Sequence, residues 1–291
     1  LNYYTDLWGS SPEDIWIIGF GSSEEYQILR YNGDSVYCFP DNDYTTEPKS
    51  VFGFGNNEVW IGGDKFNFKF YDGNLISLHS EAPLANYRFG YLKYIWGRSN
   101  TDLYCVGALQ DYNSKIYSLL LHYNGIEWLY PTSPIRGLQF LSLYKDSYTD
   151  VCYMLGYRES AEFPDTSQFY KLDNNKIEPI SIKAMNDPVG KHLGYMDETI
   201  YFVQDENLYK LWNGNIKKHL SFQGTSIDGS KIFGMNEKDF FVKITDGIGH
   251  YNGTDLQKAY EISESFLIVD GIAFENTIYF LGFYKDSMLF F

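Results

Sequence analysis

Cysteine is scarce in this chain of 291 residues: Cys38, Cys105 and Cys152 stand far apart and no C-x-x-C occurs. That excludes a disulfide framework and a zinc ribbon and leaves the redox compartment open. Cys105 and Cys152 lie in strand-like apolar runs and read as small buried hydrophobes. No apolar run approaches the roughly 20 residues of a membrane span. Basic residues are few, 23 Lys and Arg against 38 Asp and Glu, for a net charge of -15. They are scattered, so there is no footprint for nucleic acid and none for an anionic membrane surface; the excess of acid reads as a source of solubility. The chain opens with LNYYTD, without an initiator Met, a basic n-region or an apolar h-region, which reads as a mature or trimmed chain.

Aromatic residues are abundant instead: 27 Tyr, 22 Phe and 6 Trp make up 19% of the chain. Such side chains suit a pleated, half-buried surface. With 26 Gly against 9 Pro, the composition reads as many short strands joined by tight turns. Length alone allows two average domains or one large all-β unit.

A repeat decides between them. Taking Trp16 as a strand aromatic, Trp60, Tyr104, Tyr153, Tyr201, Phe241 and Tyr279 answer it at intervals of 44, 44, 49, 48, 40 and 38 residues, the range of propellers and other repeat arrays. Each unit has its own grammar. An aromatic and a Gly come first (Trp8-Gly9, Phe52-Gly53, Trp96-Gly97, Phe233-Gly234), an acid follows five residues later (Asp14, Glu58, Asp102, Asp239), and a second Gly closes the strand (Gly19, Gly63, Gly107, Gly282). A third strand then runs into Asn-Gly or Asp-Gly, as in ILRYNG at 28–33 and LLHYNG at 120–125, a pattern predicting type I′ hairpins with two central residues at positive φ. A fourth strand completes the unit.

Four antiparallel strands per repeat predict an all-β, seven-bladed β-propeller with four-stranded blades, a single domain over 1–291. In that frame Gly9 lets the inner strand crowd its neighbours, Asp14 accepts backbone N–H groups of the first turn, and Trp16 fills the space between blades. The fourth unit carries an insert, YRESAEFPDTS at 157–167, and Asp173-Asn174-Asn175 in place of Asn-Gly; the fifth has Thr199 in place of the acid. The seventh is short by one strand. Pairing of LNYY with SMLFF at the other terminus would close the ring, the amino-terminal strand completing the last blade.

WGSSPEDIWIIG with ILRYNG, and WGRSNTDLYCVG with LLHYNGIEW, resemble a bacterial propeller repeat of the form W-G-x-S-x-x-D-[VI]-[WY]-x-x-G followed by L-x-[HR]-Y-[ND]-G-x-x-W. The resemblance spans nearly the whole chain, with units four, five and seven divergent. Proteins built on such repeats are commonly exported or lipid-anchored, so the resemblance implies an extracytoplasmic location. EVWIGG echoes the sensor propellers of two-component receptors without their Gly-Thr finish, and the S-x-D-x-G-x-T-W box of sialidases is not found intact.

Catalytic signatures are sparse. Five His occur, with no pair at ligand spacing, and His122, His250 and Arg30 alternate at one repeat position, which reads as a strand-surface site and not a metal site. There is no G-x-S-x-G. Glu24, Glu25, Asp64, Asp111 and Glu159 lie in loops and read as solvated charge. No cofactor or metal is expected. Aromatics offer more: Tyr44, Phe66, Tyr87, Arg88, Tyr112, Tyr157 and Tyr284, with Phe20, Tyr26 and Phe163 beside them, fall in connections that a propeller gathers on one face. Tyr presents a stiff apolar plate with a hydrogen-bonding tip. The expectation is a monomeric, noncatalytic scaffold that binds a glycan or a protein on this face; the alternatives are a carbohydrate-active hydrolase or lyase with acids at the channel mouth, and a ligand-sensing fragment of a larger receptor.

Overall fold

The computed structural model describes residues 2–21, 27–39, 47–55, 57–64, 67–73, 76–81, 86–158, 166–180, 193–204, 206–212, 215–222, 224, 227–262, 266–284 and 287–290. These form antiparallel sheets whose strands follow one another in chain order from the inside outwards. The first sheet comprises β1 (Asn2–Ser11), β2 (Asp14–Gly21), β3 (Ile28–Tyr31) and β4 (Val36–Phe39); the second β5 (Pro48–Gly53), β6 (Val59–Gly63), β7 (Asn67–Tyr71) and β8 (Ile76–Glu81). The third holds β9 (Tyr87–Ser99), β10 (Asp102–Asp111), β11 (Ile116–Tyr123) and β12 (Trp128–Leu129); the fourth β13 (Leu138–Lys145), β14 (Cys152–Arg158), β15 (Thr166–Asp173) and β16 (Lys176–Pro179). The fifth holds β17 (Gly194–Met196), β18 (Thr199–Gln204), β19 (Asn207–Trp212) and β20 (Asn215–Ser221); the sixth β21 (Ile227–Asn236), β22 (Asp239–Ile244), β23 (Gly247–Tyr251) and β24 (Leu256–Glu261). The last has three strands, β25 (Phe266–Phe274), β26 (Thr277–Tyr284) and β27 (Ser287–Phe290).

The inner strands meet side by side. β1 packs on β5, β5 on β9, β9 on β13, β17 on β21, β21 on β25 and β25 on β1, while Tyr144 stacks on Tyr195 at 5.3 Å between the fourth and fifth sheets. The fold is a β-propeller. Second strands are covered on both faces by neighbouring sheets, which is why β10 is buried along most of its length and reads as an apolar run, whereas outermost strands such as β24 are exposed and polar.

Two parts of the expected architecture are corrected. Six blades are complete, not seven, because the last sheet has only three strands among the described residues. Nor does the amino-terminal strand complete that sheet: Asn2, Tyr3 and Tyr4 pair with Gly21, Phe20 and Gly19, extending β1 along its own partner β2. The seam between first and last sheets is closed by side chains instead. Tyr3 meets Phe283 at 5.7 Å between ring centres, Phe290 meets Tyr31 at 5.9 Å, and the Tyr279 hydroxyl donates to the Pro12 carbonyl at 3.1 Å.

The repeat grammar also acquires new mechanical meanings. Asp14 accepts from Ser10 Oγ at 2.6 Å and from Arg30 Nε at 2.7 Å, so it binds the third strand and does not cap the first turn. Asp102 with His122 and Asp239 with His250 repeat this pair, each at 2.7 Å. The alternation of Arg and His therefore marks a nitrogen-bearing side chain facing the repeat acid, stacked on the strand aromatic: His122 on Tyr104 and His250 on Phe241, both at 4.4 Å. Trp16, fully buried, fills the space between first and second sheets as expected. Three Asn-Gly loops are four residues long, with only the Gly at positive φ, at Gly33 (φ 92), Gly125 (φ 91) and Gly253 (φ 89), whereas after Trp212, which pairs with Asn215, the loop has two residues, 213 and 214, outside the described ones. The Asn caps the loop: Asn32 Oδ1 accepts from Asp34 N and Ser35 N at 3.2 and 2.8 Å. A two-residue turn with both φ positive appears where Asn-Gly is missing, at Asn174 (φ 48) and Asn175 (φ 60).

Candidate functional site

In β1, β9, β13 and β25 the start of the inner strand is level with the end of its second strand: Asn2 pairs with Gly21, Tyr87 with Asp111, Leu138 with Arg158 and Phe266 with Tyr284. Inter-sheet connections and second-to-third-strand loops therefore share one face. An axial cavity of about 1080 Å³ runs inwards between the inner strands.

Its walls are tiered by a recurring β-bulge. Thr5, Lys49, Lys93, Leu141 and Val269 are skipped in the pairing of β1, β5, β9, β13 and β25 with their second strands, and all five line the cavity. A bulge breaks the alternation of the pleat and re-aims the residue that follows. The second Gly of the repeat stands opposite: a Cβ on Gly107 would collide with the Tyr91 carbonyl, and one on Gly19 with that of Tyr3. The first Gly serves a different contact. A Cβ on Gly9, Gly53, Gly97 or Gly234 would lie 2.8 Å from the carbonyl oxygen of the repeat acid, and on Gly53 it would also strike the Trp8 ring of the neighbouring sheet.

Below the bulges lies a polar belt. Asp6 Oδ2 accepts from Val51 N and Ser50 Oγ, both at 2.9 Å; Ser50 Oγ accepts from Ile95 N at 3.0 Å; Asp270 Oδ2 accepts from Leu7 N at 3.4 Å. In each case a belt side chain of one sheet satisfies an amide on the free inner edge of the next sheet. Tyr94 and Tyr144 join their hydroxyls at 2.7 Å, and Tyr144 donates to the Leu193 carbonyl at 3.5 Å. Lys231 Nζ lies 2.8 Å from Asp270 Oδ2. Below the belt, rings follow one another: Trp8 to Phe52 at 6.4 Å, Phe52 to Trp96 at 6.5 Å and Trp96 to Tyr144 at 6.1 Å.

Two aspartates thus stand together on the axis, 7% and 6% exposed for Asp6 and Asp270. Burial and then the adjacent Asp270 push the Asp6 carboxyl well above its ordinary value. Burial opposes ionisation of Asp270 too, but Lys231, the hydrogen bond from Asp6 and the Gly271 amide outweigh it and hold that carboxyl below the ordinary value. The two carboxyls titrate as a pair, Asp6 holding its proton more tightly and Asp270 ionising more readily against Lys231. Burial raises the Tyr94 phenol well above its usual range, and the facing Tyr144 adds to the shift.

The expected face residues distribute as follows. Tyr44 and Phe66, like Tyr26, Phe163, Glu24, Glu25 and Glu159, lie outside the described residues. Tyr87, Arg88 and Tyr112 gather at one end of the long β9–β10 hairpin: Tyr87 is half-buried, edge-on to Tyr117 at 5.3 Å, Arg88 lies over Phe89 at 4.8 Å, and Tyr112 is 73% exposed. Tyr284 ends β26, half-buried, on the last sheet. Tyr157, half-buried, reaches the cavity wall beside Gln139 and Ser167, its cross-strand partners. Of the loop acids, Asp111 caps its own turn through Asn113 N and Lys115 N, both at 2.8 Å, and Asp64 lies 3.8 Å from Lys49. Among the described residues no group of three or more His, Cys, Asp or Glu is placed to hold a metal ion, and no helix is long and apolar enough to cross a membrane.

The belt was missed from sequence although a signal exists. Aligned on the cross-strand pairs Trp8 with Trp16, Phe52 with Trp60, Trp96 with Tyr104, Tyr144 with Tyr153, Gly194 with Tyr201, Phe233 with Phe241 and Ile272 with Tyr279, the position two residues earlier is Asp6, Ser50, Tyr94, Ser142, His192, Lys231 and Asp270. Every member of that column can form a hydrogen bond. His192 lies outside the described residues.

No family model and no curated protein matches the chain, so the resemblance to a particular repeat family narrows to the fold. Solved structures do match. YCF48 bound to a D1 peptide is 13% identical with a TM-score of 0.65, over 99% of this chain and 92% of that one. Virginiamycin B lyase from Staphylococcus aureus is 12% identical with a TM-score of 0.60, over 95% and 90%. The extracellular domain of the putative one-component system BT4673 from B. thetaiotaomicron is 10% identical with a TM-score of 0.57, over 96% of this chain and 39% of that one. At these identities what the chain shares with a peptide-bound protein, a lyase and an extracellular domain is the β-propeller itself.

Proposed function

We propose that the 291 residues act as one extracytoplasmic, noncatalytic recognition domain that admits a glycan from the loop face into the axial cavity. One observation carries this reading: the cavity offers hydroxyls and ammonium groups above a tier of aromatic rings, while its two carboxyls are already committed to bonds between sheets. Rings stack on sugar faces and the polar groups fix orientation, the combination of a small-ligand site. Tyr157, at the wall, is the contact taken over from the expected set; Tyr44, Phe66, Tyr87, Arg88, Tyr112 and Tyr284 would extend recognition across the face. The extracellular propeller of BT4673 supports the location by analogy of fold. The test is a glycan array on wild type and on Tyr157→Ala, followed by calorimetry on any hit. Binding that Tyr157→Ala weakens by roughly tenfold or more, the scale of a lost stacking contact with its hydrogen bond, supports the reading. Equal binding by both proteins removes Tyr157 and the cavity from it.

A second reading is favoured by the carboxyl pair on the axis, since two neighbouring carboxyls pushed in opposite directions from their ordinary values form an acid–base arrangement, and a lyase shares the fold. Incubating wild type with glycans bound on the array separates the two. Turnover abolished in a folded Asp270→Asn variant would establish an enzyme; unchanged glycan after prolonged incubation leaves the scaffold.

A further inference from the structure

We propose that the cavity wall formed by the second, third and fourth sheets is a subsite for the carboxylate of an acidic sugar, a deepening that rests on the glycan reading above. In a chain of net charge -15, the cavity is lined by Lys49, Lys93 and Lys231 against two acids, Asp6 and Asp270. Lys231 and both acids are consumed within the belt at the seam. Lys49 and Lys93 occupy equivalent bulge positions on adjacent inner strands, which brings their stems to the same level of the same wall. Lys49 is tethered near the rim, 2.7 Å from Glu47, and lies 4.6 Å above the Phe20 ring. Lys93 is exposed and has no carboxylate partner among the described residues.

Ser142, on the next strand, supplies the independent observation. It is 4% exposed, lines the cavity, and its hydroxyl has no hydrogen-bond partner among the described residues. It holds the belt position at which Asp6, Ser50 and Asp270 accept an amide from the following sheet, yet it makes no such bond. A buried hydroxyl left unmatched carries a desolvation cost that a ligand oxygen would remove. An uncommitted ammonium on one inner strand and an unmatched hydroxyl on the next, both lining the cavity above aromatic rings, suit a carboxylate attached to a pyranose: the ring stacks, Lys93 pairs with the charge and Ser142 donates to an oxygen.

The experiment uses calorimetry with a uronic-acid trisaccharide, its methyl ester and a short acidic peptide, on wild type, Lys93→Gln and Ser142→Ala, with melting temperatures as a control for folding. The acid should bind wild type roughly tenfold more tightly than the ester, the scale of one charge-assisted hydrogen bond. Lys93→Gln should erase that preference by weakening the acid far more than the ester, at unchanged melting temperature, and Ser142→Ala should also weaken the acid more than the ester. Equal affinity for acid and ester in wild type overturns the carboxylate subsite and leaves glycan recognition standing. Binding of the peptide with no binding of either sugar overturns both.

Discussion

Trp16 sits where two sheets and a cation meet. Its ring lies 5.1 Å from Phe39, 4.8 Å from Tyr71 and 5.2 Å beneath the Arg30 guanidinium, which is itself held by Asp14 at 2.7 Å. Truncation removes packing from both sheets and leaves a cavity, so Trp16→Ala should cost about 3–5 kcal/mol, lowering the melting temperature by roughly 10 °C; a calorimetric scan reads it directly. The buried aspartates give opposite pH signatures. From the ordinary aspartate value of 3.8, Asp6 is raised, so its contribution is complete below that value and is lost as pH rises through its folded value. Asp270 is lowered, so its contribution is present above 3.8 and is lost as pH falls through its folded value. Stability should therefore pass through a maximum and decline on the alkaline side. Asp6→Asn keeps a neutral donor towards Asp270 and should flatten that decline in urea melts collected across pH. Asp270→Asn strips Lys231 of its buried partner and should cost about 3–5 kcal/mol at every pH near neutrality.

At the scale of the strand and turn, much of the fold was legible because it is local. The aromatic, the acid and the two glycines sit within a dozen residues of one another, and strand periodicity follows from burial on one or both faces. Three Asn-Gly loops, at Gly33, Gly125 and Gly253, were placed correctly and their geometry misread, since the Asn, as at Asn32, bonds two amides ahead and lengthens the loop, something dipeptide identity does not encode. The Asp14–Arg30 pair was missed for a similar reason: residues 16 apart become neighbours only through the register of β2 and β3. The bulges were invisible because a skipped residue leaves no change in composition. Their consequence is testable at the glycine opposite. Gly107→Ala forces a methyl against the Tyr91 carbonyl, and backbone cannot swing aside as a side chain can, so the strand pair must shift. Destabilisation should reach about 1–3 kcal/mol or more, and amide exchange should quicken at Leu92 and Tyr94 before it does in β11.

For the molecule as a whole, the question is what keeps a ring of sheets shut when its termini do not interleave. Every inner strand has one edge paired with its second strand and one edge facing the axis, so unmatched amides recur around the cavity. The belt answers that need with side chains. Asp270 on the last sheet takes the Leu7 amide of the first, and Asp6 passes the same bond onward to Val51. Closure therefore depends on residues 263 and 45 apart in sequence, which is why the termini, nearest to hand in the repeat, were the wrong place to look. Residues 2–4 extend β1 along Gly19–Gly21 and add the Tyr3 contact with Phe283, an addition to the seam and not its fastening. Removing residues 1–4 should accordingly lower the melting temperature by only a few degrees, less than Asp270→Asn, whose buried charge pair is worth about 3–5 kcal/mol when broken. The two variants melted side by side decide the matter: a truncation that unfolds the ring as severely as Asp270→Asn would return closure to the amino-terminal strand, and the reverse order assigns it to the belt.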